Sequence, residues 1–250
     1  MTKLTGFVAA AFFIASPAFA ADIAVKAMPP SSAPIANWTG LYVDGGGGYG
    51  MWTADTMTFN PVTGTCVLCV AQRQGGRGWF GTVGGGYDYQ FAWANWGFVI
   101  GALGNFDFAS IKGTIQDQVP IFAGEEKMTS AWAAGGRLGW LATPSVLTYV
   151  NGGWSGAHFD GTDMVSTFTG APTGFVTPSF SRTGWFIGSG VEYMFAPGWF
   201  GRAEYRYADY GTVILPDVNP RTGGVEANIS FHPIVQTVRT ELVYKFNWFR

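Results

Sequence analysis

Charge is scarce in this 250-residue chain: Asp, Glu, Lys and Arg together make up 12%, and Cys and His contribute two residues each. The 14 basic and 16 acidic residues nearly balance, so there is no electrostatic case for a nucleic-acid partner. Two cysteines cannot build a disulfide framework, and Cys66-Val67-Leu68-Cys69 lacks both the βαβ context of a redox motif and the further ligands of a metal site. No phosphate loop, paired zinc ligands or nucleophile elbow occurs, so no catalytic, cofactor-binding or metal residue is assigned. After the first 20 residues the chain also lacks the long charge-free apolar run of a membrane-crossing helix.

Apolar residues, by contrast, reach 48%, which excludes a disordered chain, and 17% are aromatic. Lys3 precedes an apolar segment over residues 4–15, and Ala18-Phe19-Ala20 is a small-x-small site ahead of Ala21. This is the layout of a secretory leader, and the segment is shorter than the roughly 20 residues of a spanning helix. Residues 1–20 are therefore expected to be a cleaved signal peptide. Pro29, Pro30 and Pro34 predict an extended periplasmic arm over residues 21–37, with one folded unit over residues 38–250.

The clearest periodicity lies at residues 235–248. Val238, Thr240, Leu242, Tyr244, Phe246 and Trp248 share one face, and Arg239, Glu241 and Lys245 share the other, because successive strand side chains point to opposite sides. One apolar and one charged face suits two architectures: a soluble sandwich with the apolar face inside, or an inside-out barrel with lipid outside and polar groups in the lumen. Seven earlier segments read the same way: residues 38–51, 79–91, 96–108, 128–142, 146–157, 183–195 and 199–210. Within 146–157 only Leu147 fits the pattern poorly. Short turns at 92–95, 143–145 and 196–198 alternate with long connections at 52–78, 109–127, 158–182 and 211–234, whose Gly, Pro, Thr and Asn content predicts loops. Long connections on one side and short ones on the other favour an eight-stranded antiparallel transmembrane β-barrel with external loops and periplasmic turns.

On that reading Asp44, Asp88, Asp107, Arg137, Glu192, Arg202, Glu204, Arg206, Arg239, Glu241 and Lys245 all face the lumen. Eight strands enclose only enough space for their own side chains, so these charges are expected to pair with one another. A selectivity lining for a passive solute pore is the alternative. Aromatic residues near strand ends, such as Trp79, Trp96, Trp140 and Trp199, suit two interfacial girdles. Cys66 and Cys69, in an exported chain, are expected to form a local disulfide in the first external loop. His158 and His232 fall at the external ends of their strands. A lipid-modifying enzyme would need Ser and His in contact, yet Ser155 and His158, three apart on a strand, face opposite ways.

Residues 37–42 (Asn-Trp-Thr-Gly-Leu-Tyr), 188–193 (Gly-Ser-Gly-Val-Glu-Tyr) with Trp199, 203–207 (Ala-Glu-Tyr-Arg-Tyr) and the closing strand together resemble the small outer-membrane β-barrel proteins of alphaproteobacteria, in the OmpA-like barrel superfamily. The resemblance spans residues 38–248. It implies a non-enzymatic outer-membrane protein with a structural or surface role, in contact with outer-membrane lipid and lipopolysaccharide. It also implies that Tyr244, Phe246 and Trp248 are the C-terminal signal read by the barrel assembly machinery. The chain departs from the pattern in continuing to Phe249-Arg250 and in placing Leu103 where such proteins often carry an inward acid.

Overall fold

The computed structural model describes residues 37–246, apart from 68, 70, 94, 95, 117–121, 220 and the side chains of Phe122 and Glu226. The expected leader, the arm up to residue 36 and Trp248-Phe249-Arg250 lie outside the described residues. Eleven strands occur among those described: β1 (Gly40–Phe59), β2 (Gln72–Trp93), β3 (Trp96–Gln116), β4 (Phe122–Thr143), β5 (Val146–Phe159), β6 (Thr162–Ser166), β7 (Pro172–Thr177), β8 (Phe180–Ala196), β9 (Trp199–Asp209), β10 (Val213–Val218) and β11 (Val225–Phe246).

Eight of them close a ring in the order β1-β2-β3-β4-β5-β8-β9-β11, all antiparallel, with β11 returning to β1. The closing register runs from Leu41↔Phe246 to Phe59↔Asn228, so neither strand keeps a free edge. The outward face carries Val83, Tyr87, Tyr89, Phe106, Ile100, Leu138, Val150, Ile187, Val191 and Leu242, each at least 40% exposed. That is the surface of a barrel immersed in lipid, and it excludes the sandwich, in which these side chains would be the core. Trp79, Phe108, Trp132, Trp154 and Trp185 border the band on the loop side; Trp93, Trp96, Trp140 and Trp199 border it on the turn side. At the β8–β9 turn Pro197 is followed by Gly198 at φ +77°, the left-handed position that a tight turn of this kind assigns to glycine.

The connections differ from the expected loops. Strand pairing continues through residues 52–59, 72–78, 109–116 and 122–127, so β1 to β4 are 20 to 22 residues long. The third and fourth connections hold β6, β7 and β10. Above the membrane β5, β8 and β9 have ended, and β4 pairs with β6, β6 with β7, β7 with β10 through Val176↔Val218, and β10 with β11. With β1, β2 and β3 these strands make a second ring, again of eight strands, standing on the first. Loop-like composition misleads here because Thr is a good strand residue, and the inward positions Trp52, Ala54, Thr56 and Thr58 find a buried interior only once the distant strands arrive.

Candidate functional site

The lumen is stacked in three layers. At the turn end Trp38, Tyr42, Val99, Leu147, Tyr149, Met194, Phe200 and Val243 form an apolar plug. Trp38 is fixed there by donating its indole N–H to the Pro144 carbonyl at 3.2 Å, and its ring lies 4.8 Å from that of Phe200. Leu147, the residue that fitted the alternation poorly, is fully buried in this plug: it points inward like Tyr149 and Asn151, into a part of the lumen that is apolar.

The middle layer holds all eleven charged residues predicted to face inward. Arg137 donates through Nε to Asp88 Oδ1 (2.7 Å) and through Nη1 to Glu192 Oε2 (2.9 Å), with a second contact from Nη2 to Asp88. Lys245 Nζ sits 2.6 Å from Asp88 Oδ2 and 3.1 Å from Glu192 Oε1. Arg202 links Glu192 (3.0 Å), Asp44 (3.0 Å) and Glu241 (2.9 Å). Arg206 binds Glu204 at 2.7 Å, and Arg239 binds Asp107 at 3.0 Å and approaches Glu241 at 3.7 Å.

Neutral side chains complete the network. Tyr149 and Asn151 donate to Glu204 Oε2 at 2.8 and 2.7 Å, Arg206 donates to Asn105 Oδ1 at 2.8 Å, and Arg137 packs over the rings of Tyr42 and Tyr149. Tyr149, Asn151 and Asn105 share the inward parity of the charges, which was the available signal for them. Isolated charges in such a confined space would carry a large desolvation cost, and multiple partners per ion offset it. Space for long side chains comes from inward glycines: a Cβ at Gly84 would lie 2.6 Å from Asp44 Oδ1, and one at Gly101 would run into Asp88. Leu103 lies beside this layer and, with Asn105, Arg137 and Arg206, lines a cavity of about 10 Å³; a second cavity, beside Arg206 and Arg239, measures about 20 Å³. Each has room for about one water molecule.

The outer layer departs from the uniformly polar lumen that the sequence suggested. Trp52, Ile111, Ile115, Met128, Phe159, Met164, Leu215, Ile229 and Phe231 fill it, all at most 3% exposed. The Phe231 ring lies 5.7, 6.1 and 5.8 Å from those of Trp52, Phe159 and Phe180. Several of these residues fall in the connections read as loops, so their periodicity was hidden by that assignment.

Of the other positions singled out in the sequence, all that are described except Ser155 lie at the rim or on the outside. Cys66 and Cys69 are joined in a disulfide at the β1–β2 tip, with Cα atoms 5.1 Å apart. Tyr244 and Phe246 face outward with ring centroids 5.0 Å apart, and Tyr244 also meets Trp199. Ser155 points inward to Tyr210 (2.9 Å), whereas His158 points outward and contacts Ser181 instead. His232 pairs with Asp209 at 2.9 Å at the rim. Among the described residues no group of His, Cys, Asp and Glu is arranged to hold a metal ion.

A closed ring with a lipid-facing exterior and an ion-paired interior agrees with the comparisons to known proteins. A family model for the outer membrane protein beta-barrel domain matches residues 6–232. The chain belongs to this family. It is an integral outer-membrane β-barrel protein. Within the family, it is 30% identical to the 31 kDa outer-membrane immunogenic protein of Brucella melitensis over 248 residues, covering 94% of this chain and 96% of the relative. It is 28% identical to the 25 kDa outer-membrane immunogenic protein of Brucella ovis over 212 residues, covering 78% and 82%. Among solved structures, the barrel resembles the outer membrane protein OprG of Pseudomonas aeruginosa with a TM-score of 0.50 at 15% identity, over 83% of this chain and 97% of that one, a likeness of fold alone.

Proposed function

We propose that this outer-membrane barrel is a closed, non-enzymatic anchor that presents the upper ring and its tips at the cell surface. The observation that carries the reading is the filling of the lumen by the described residues: an ion-pair layer, in which the two cavities described above hold about one water each, between two apolar plugs. The apolar exterior is matched to outer-membrane lipid, and the upper ring to the surrounding lipopolysaccharide. Export through a leader at residues 1–20, and insertion by the barrel assembly machinery reading the aromatic end of β11, complete the proposal. The Brucella relatives, named only as immunogenic outer-membrane proteins, fit a surface role.

Single-channel recording in a planar bilayer tests it. The refolded barrel should give no discrete conductance steps. Reproducible steps that scale with ion size would replace the anchor with a passive solute pore.

A further inference from the structure

Just above the loop-side aromatic border the outer face carries a row of like charges. Arg77 on β2 is the register partner of Lys112 on β3, and Lys112 is the partner of Lys127 on β4. Cations directly opposite one another across strands repel. Lys112 is paired with Glu125 at 2.8 Å, while Arg77 and Lys127 make no ion pair among the described residues. Among the described residues the nearby acids are engaged elsewhere: Asp55 with Arg73 at 3.2 Å, and Asp160 with Thr129 at 3.3 Å and, 3.7 Å away, His158.

Beside this row is a concave site. A groove of about 280 Å³ on the outer face of β4, β5 and β8 is lined by Ser130, Trp132, His158, Ser181 and Thr183. Lys127 adjoins it, because its carbonyl accepts the amide of Asp160, two residues beyond His158. Trp132 belongs to the aromatic border, which places both groove and cations at the level of the outer-leaflet headgroups. Hydroxyls and an indole suit a sugar ring, and two cations with no ion pair among the described residues suit phosphate.

We infer that the β2–β5 face at this height binds the phosphorylated sugar headgroup of a lipopolysaccharide molecule. Arg77 and Lys127 take its phosphate and the Trp132–His158–Ser181 groove takes a sugar. The inference rests on the anchor reading, since it requires the barrel to sit in the outer leaflet at the height its aromatic border defines.

The full chain is refolded in phosphatidylcholine vesicles with increasing lipopolysaccharide, and the temperature at which the compact, unboiled gel band is lost is recorded. Lipopolysaccharide should raise that temperature for the wild type, and the R77Q/K127Q variant should need about tenfold more to reach the same shift. Dephosphorylated lipopolysaccharide should reproduce the variant's deficit on the wild type. An equal response from variant and wild type overturns the site, as does an equal shift from phosphatidylglycerol, which would reduce the effect to general anion attraction. Absence of the compact band for both proteins would instead reject the membrane-barrel reading beneath it.

Discussion

Arg239 on the closing strand holds Asp107 on β3 across the lumen, Nη2 to Oδ2 at 3.0 Å, although 132 residues and two intervening strands separate them. Breaking a buried pair strands a charge, so Asp107→Asn should destabilise the barrel. The loss should fall below the roughly 3–5 kcal/mol of a fully orphaned ion, because Glu241 lies 3.7 Å from Arg239. Urea unfolding in vesicles of D107N, R239Q and the double variant should give a coupling energy of about 1–3 kcal/mol. Additive losses would show that the two groups do not act as a pair.

Gly101 should be intolerant of a methyl group. Its Cβ would collide with Asp88, the carboxylate shared by Arg137 and Lys245, and lie 2.7 Å from the Tyr87 carbonyl. Gly101→Ala should therefore cost roughly 1–3 kcal/mol by overpacking. Gly201 provides the control: a Cβ there would meet no atom within 4 Å, and Gly201→Ala should leave the urea midpoint unchanged.

The upper ring should loosen as pH rises. Glu126 is fully buried above the membrane, where its Oε2 accepts a hydrogen bond from Thr162 of β6 at 3.0 Å and its Oε1 has no hydrogen-bond partner among the described residues. Burial pushes its pKa up to about 7, against the Thr162 bond, which lowers it, and with a smaller contribution from the charge of Asp160. A raised carboxyl pKa means the folded ring prefers the protonated form. The associated stability is fully present below the unfolded value and is lost as pH climbs through about 7. Protection factors of the β6 and β7 amides, corrected for the pH dependence of intrinsic exchange, should be larger near pH 5 than near pH 8, and Glu126→Gln should remove the difference. An unchanged pH dependence in the variant would assign it to another group.

Reducing Cys66–Cys69 should leave the barrel intact. The bridge closes a span of only three residues at an exposed tip, and short loops give the smallest stabilisation of the unfolded-chain kind. The compact unboiled band should survive reductant at the same temperature. A drop would show that the tip contributes to ring closure.

Period-two alternation made the membrane-facing half of the molecule readable. Val238 to Phe246 and their counterparts on the other strands announced an apolar exterior, and the opposite parity placed Asp88, Arg137, Glu192 and Lys245 in one lumen. Which acid meets which base was beyond that logic. Parity assigns a face, but partners such as Arg137 and Asp88 on non-adjacent strands meet only through the diameter and register of the closed ring.

The chain alone determined eight strands, each with an apolar and a charged face, because strand side chains alternate whatever their neighbours are, and closure of the ring turned the charged faces inward. Only the tertiary structure decided that the connections rise into a second ring with an apolar filling. Trp52, Phe159 and Phe231 come from three distant segments of the chain, and none has a buried face until β6, β7 and β10 bridge β4 to β11. Burial of that kind is a property of the closed surface and is written in no single stretch of residues.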